Sequence, residues 1–129
     1  EHAALVKVEI KADAPTLVRV HRVDFAADVM GGYGFRAGRV DRAVAAIEKE
    51  GAGVIVLLRD MLPDVLSRRL KGEPAEREED DGLRVIGLGS QILRELGVGR
   101  MTVLSNAPQK LIALDGYGLS IDGWREFKT

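Results

Sequence analysis

The segment Ser105-Asn106-Ala107-Pro108-Gln109-Lys110 is where residue types and spacing suit chemistry, and that chemistry is the capture of an anion. Ser and Asn are good helix N-caps, and proline suits the first helical turn, where its missing N–H costs nothing. A lysine in that turn adds charge to the free N–H groups and the helix dipole, which all favour a negative ligand. Most strand-to-helix turns with such caps bind nothing, so a plain turn stays open as the alternative. Other chemistries have thinner candidates. The chain has no cysteine, which excludes disulfides and thiolate metal ligands. His2 and His21 are its two histidines. A lone imidazole is more often hydrogen-bonded within the fold than bound to metal. Gly31, Gly32, Gly34 and Gly38 crowd one stretch, but no G-K-[ST] ending and no G-x-G-x-x-G accompany them, so they read as a flexible loop.

The elements that must position the anion segment follow from periodicity. Ile86, Leu88, Ile92, Leu93 and Leu96 recur at helical spacing, and Gly97 and Gly99 stop that helix. Residues 101–104 form a short apolar run that predicts a strand leading into the segment. Earlier, residues 4–10 and 16–21 are rich in Val, Leu and Ile and read as two strands around the turn at residues 12–15. Residues 36–50 place Val40, Ala43, Val44 and Ile47 on one helical face, ended by Gly51 and Gly53. Residues 53–58 are continuously apolar, which suits a buried strand. Residues 64–70 predict a short amphipathic helix. Residues 71–82 are charged, carry Pro and Gly, and read as an exposed or disordered loop rather than a metal site. The tail offers a last strand with Ile121, Trp124 and Phe127 as packing or dimer contacts.

Composition bounds the rest. A chain of 129 residues, 46% hydrophobic and 30% charged, suits one globular domain over residues 1–129. A net charge of −1 leaves no broad basic surface for a nucleic acid backbone. No apolar run approaches the ~20 residues of a membrane span, and no signal-peptide pattern opens the chain. A cytoplasmic location is the default. The first residue is Glu1, not methionine, so a piece of a longer protein is expected.

Three strings then carry a resemblance: G-S-Q-I-L-R-E-L-G-V from Gly89, L-S-N-A-P-Q-K from Leu104, and L-D-G-Y-G-L from Leu114. Together they resemble the C-terminal half of the GTP cyclohydrolase II family, zinc enzymes that open GTP to begin riboflavin synthesis. The resemblance covers nearly the whole chain. It implies an α/β fold, a mixed twisted sheet with packed helices. It also implies phosphate contacts at Ser105 and Lys110, where the family's loop reads T-N-N-P-x-K, and at Arg19 in the strand LVRVH. A solvent-facing arginine is the alternative at Arg19. Arg84 aligns with the family's arginine at the reacting phosphate and is the catalytic candidate. Its flanking aspartates are replaced by Gly82 and Val85, which leaves a residual phosphate contact or a surface residue at the helix start as its roles. In register from His21, with Asp28 and Gly38 matching, the three zinc cysteines fall on Asp24, Phe35 and Ala37. Phenylalanine and alanine cannot ligate a metal, so the family's zinc is expected to be lost, with magnesium entering only alongside a nucleotide. Met61 stands where the family has a glutamate, and no tyrosine lies between Tyr33 and Tyr117 to supply its catalytic tyrosine.

The resemblance therefore implies a GTP cyclohydrolase II-like domain of the riboflavin pathway without cyclohydrolase activity, in a regulatory, nucleotide-binding or assembly role. GTP or a related nucleotide is its expected ligand and a homodimer its expected assembly. A fused dihydroxybutanone phosphate synthase domain would explain the missing start. Two alternatives stand beside this reading. One is an active nucleotide-phosphate hydrolase, or a GTP cyclohydrolase, of altered zinc-independent chemistry. The other is a ligand-free oligomerisation domain.

Overall fold

The computed structural model describes residues 1–8, 10, 13–23, 28, 38–59, 65–72, 79–105 and 118–126; at 65, 66, 69 and 79–86 it describes the backbone alone. Five strands form one sheet: β1 (Ala3–Lys7), β2 (Pro15–Arg22), β3 (Gly53–Leu58), β4 (Arg100–Leu104) and β5 (Ser120–Arg125). Three helices join them: α1 (Arg39–Glu50), α2 (Val65–Leu70) and α3 (Glu79–Glu95). The sheet order is β1-β3-β2-β4-β5, antiparallel between β1 and β3 and parallel elsewhere. The mixed α/β sheet expected from the sequence is therefore present.

Both faces of the parallel centre are covered, which is why β3 reads as an unbroken apolar run. Val18 and Val20 of β2, Val54, Val56 and Leu58 of β3 and Met101 and Val103 of β4 pack with Leu93 of α3. Leu17, Ile55 and Leu104 point the other way, onto Ala43 and Ile47 of α1. The two helices so lie on opposite faces. That follows from the crossovers: β2 to β3 and β3 to β4 step in opposite directions, and two right-handed connections of that kind use opposite faces.

Both helix ends follow glycine chemistry. Gly51 takes φ 92° and returns its N–H to the Ile47 carbonyl. Gly97, at φ 91°, closes α3 with paired bonds from Gly97 N–H to Arg94 and from Val98 N–H to Leu93. This is the Schellman arrangement.

Three expectations need correction. The charged segment 71–82 is not wholly a loop, because α3 already begins at Glu79. Its opening Glu79-Asp80-Asp81 puts acids on the positive end of the helix dipole, which favours the turn without any apolar periodicity. Val44 shares the apolar helical face of α1 with Val40, Ala43 and Ile47 in the sequence pattern, yet it is 40% exposed. Gly53 does not cap the helix; it starts β3. A Cβ there would sit 2.8 Å from both the Ile47 side chain and the Leu17 carbonyl, so α1 approaches the sheet through its missing side chain. Gly53→Ala is expected to destabilise the fold by about 1–3 kcal/mol. Urea unfolding checks it, and an unchanged midpoint would contradict the close approach.

Candidate functional site

In an open parallel sheet a ligand crevice forms at the carboxyl ends of two neighbouring strands whose onward connections run in opposite directions. Here those strands are β2, which leaves toward β3, and β4, which leads on toward β5. Their ladder pairs Pro15 through Val18 with Arg100 through Val103. Beyond that pair the side chain of Arg19 takes over, its Nη1 donating to the Leu104 carbonyl at 3.3 Å. Arg19 and Ser105, two of the three expected phosphate contacts, are thus brought to one corner. Ser105 is buried, and its N–H donates to the Arg125 carbonyl at 2.8 Å, anchoring the start of the segment to β5.

Arg19 is 8% exposed, so the solvent-facing alternative is set aside. Strand alternation places Arg19 and His21 on the α1 face with Leu17. Buried charge needs partners. Arg19 Nη2 lies 3.3 Å from His21 Nδ1, and His21 Nε2 lies 2.7 Å from Asp28 Oδ2. His21 therefore is hydrogen-bonded within the fold, as its isolation in the sequence suggested.

Burial pushes the His21 pKa below its ordinary 6.5, helped by the Arg19 and Arg39 charges, and the bond and charge of Asp28 offset only part of this. The unfolded chain takes up a proton as pH falls below 6.5 while the folded chain resists it. This site's stability contribution is thus complete above that pH and is lost as pH falls toward the folded value. The urea midpoint should drop more between about pH 7.5 and about pH 5.5 in the parent than in His21→Gln. Parallel pH profiles would contradict the assignment.

Beside the corner, and sharing Leu104 with it, lies a cleft of about 510 Å³ lined by Arg42, Lys49, Leu104 and Arg125 together with Glu50 and Glu126. Its volume is within the range of small-molecule sites. Arg125 is tied to Glu50 at 2.7 Å, and among the described residues the buried Arg42 Nε has no hydrogen-bond partner. Sequence reading missed this feature. Arg42 and Lys49 stood on the helix face opposite the apolar stripe, and nothing local shows that β5 faces them. Asp28 was likewise read only as a register match.

Lys110 lies outside the described residues, as do Asp24, Phe35, Ala37 and Met61. Arg84 falls in the second turn of α3 rather than at the helix start, and its side chain is not among those described. Among the described residues no group of three or more His, Cys, Asp or Glu could hold a metal ion. With no cysteine anywhere in the chain, the donor set does not fit a zinc centre built on three thiolates. No helix among the described residues is long and apolar enough to cross a membrane.

The structure is an α/β domain: a mixed sheet covered on both faces, with a buried polar corner at the switch point of its parallel strands. A family model described as GTP cyclohydrolase II matches residues 1–126, and the chain belongs to that family. It is 34% identical to the riboflavin biosynthesis protein RibBA of Bacillus cytotoxicus, over 94% of this chain and 34% of that protein. The RibBA of Chlorobium phaeovibrioides is 37% identical over 93% of this chain and 33% of that protein. That of Phocaeicola vulgatus is 35% identical over 94% and 33%. The chain so spans about a third of the length of the curated relatives it matches.

Proposed function

We propose that this chain is a GTP cyclohydrolase II-like domain of the riboflavin pathway that grips a nucleotide by its phosphates and does not open the ring. The observation that carries this reading is the corner where Arg19, Leu104 and Ser105 meet at the switch point of the sheet. A guanidinium there supplies charge and a planar donor set suited to phosphate oxygens. Ser105 opens the segment that ends in Lys110, whose ammonium would add a point charge at the same phosphates. Arg84 is assigned a further phosphate contact rather than a nucleophile's role, since a guanidinium is protonated at every working pH. The 510 Å³ cleft beside Leu104, with Arg42 and Lys49 on its walls next to the paired Arg125 and Glu50, gives a ligand room.

What the family's zinc would supply is a bound water made nucleophilic near neutral pH. No thiolate is available to hold that ion here. Ring opening is therefore assigned to no residue of this chain, and the role left is regulation or assembly. The riboflavin pathway is taken from the relatives' names, and the same names support a fused dihydroxybutanone phosphate synthase domain. A homodimer, a cytoplasmic location and magnesium carried in with GTP complete the reading. Zinc-independent phosphate release from a nucleotide is the second reading, favoured by the same corner if the bound nucleotide is also turned over.

Calorimetric titration with GTP in magnesium buffer tests the proposal. Binding is expected, and Lys110→Ala or Arg19→Lys should weaken it at least tenfold, about 1.4 kcal/mol, in line with the loss of a charge-assisted hydrogen bond. No heat up to millimolar GTP would overturn the phosphate grip and leave assembly alone.

A further inference from the structure

The bonds around Arg19 fix more than its burial. A guanidinium has donors only, so the His21 Nδ1 that faces Arg19 Nη2 at 3.3 Å must accept. A neutral imidazole accepting at Nδ1 carries its proton on Nε2, and that proton points at Asp28 Oδ2, 2.7 Å away. Asp28 thus selects the tautomer that Arg19 needs. At its other end Arg19 Nη1 is tied to the Leu104 carbonyl, one residue before Ser105. The chain of contacts runs from Asp28, after β2, through the end of β2 to the end of β4. All of it lies in low-exposure surroundings, the His21 and Asp28 side chains being 6% and 8% exposed.

We propose that His21 and Asp28 are positioning residues for Arg19: a relay that holds the guanidinium at the Leu104–Ser105 corner while the imidazole is neutral and lets go when it is protonated. This rests on the phosphate-grip reading of the same corner. Protonation puts an N–H on Nδ1, so two donors would face each other where one bond now stands. It also sets a cation beside Arg19 in a poorly solvated place. Among the described residues the charged groups facing the imidazole are Arg19 from β2, Asp28 from the connection after β2, and Arg39 from α1. Two of the three oppose the extra proton. The relay consequently makes nucleotide affinity depend on acidity through a residue that need not touch the ligand.

The test compares GTP affinity in the parent chain, His21→Gln and Asp28→Ala between about pH 7.5 and about pH 5. Glutamine can still accept from Arg19 but does not titrate, and protonation of the GTP phosphates affects all three proteins alike. Asp28→Ala is expected to bind GTP about fivefold or more weakly at the higher pH, because the tautomer is no longer selected. Over the pH range the parent should lose about fivefold more affinity than His21→Gln, the pH-dependent part being carried by the imidazole. Equal affinity of parent and Asp28→Ala at the higher pH, or a constant ratio of parent to His21→Gln, would overturn the relay. Imidazole nitrogen NMR on the ligand-free chain separates the two proposals. A single Nε2–H tautomer for His21 at neutral pH supports the relay, and an Nδ1–H form overturns it whether or not GTP binds. Absence of GTP binding by the parent at every pH, with the Nε2–H tautomer present, would overturn the phosphate grip alone.

Discussion

A guanidinium buried near the end of the central strand needs its charge answered and its Nη donors partnered, and much of the surrounding structure follows from that constraint. Unpaired, Arg19 would cost several kcal/mol to desolvate. Paired, it closes the gap where β2 and β4 stop sharing backbone bonds, using the Leu104 carbonyl. Its second partner, His21, is buried with it and needs Asp28 in turn. One buried charge so links two strand ends and the connection after β2, and it does so where the sheet topology opens a crevice. Structural necessity and the proposed phosphate grip draw on the same residue.

The architecture around it is built to keep that corner fixed. Apolar side chains on both faces of β2, β3 and β4 hold the parallel strands between α1 and α3. Gly53 lets α1 sit close to the start of β3, and the Schellman turn at Gly97 sends the chain straight from α3 into β4. Ser105, just after β4, is then set by its bond to β5. Each is a local device, and each has its effect at the strand ends.

Much of this was legible in the sequence because it is written in short-range patterns. Alternation and apolar runs gave the strands, helical spacing gave α1 and the body of α3, and Gly51 and Gly97 marked their ends. What stayed hidden depends on long-range contact. Glu79-Asp80-Asp81 looks like part of a solvated charge run until the helix dipole behind it is known. Val44 fits the apolar stripe of α1 but looks past the edge of the core. Arg19 to Leu104 is a contact across 85 residues, and no spacing rule announces it. The pairing of His21 with Asp28 is near in sequence, yet it is meaningful only once both are seen to be buried beside a guanidinium. The zinc question lies at the other extreme. Composition alone excludes a thiolate site, since a chain without cysteine cannot build one whatever its fold.

The central claim is that a phosphate-binding corner has outlasted the metal chemistry of its family. Formate release from GTP tests it most directly, followed with the purified chain in magnesium buffer, with and without stoichiometric zinc. The account predicts no formate above the protein-free background in either condition, while GTP remains bound. Zinc-dependent formate production would contradict it and would require a metal site made from other residues.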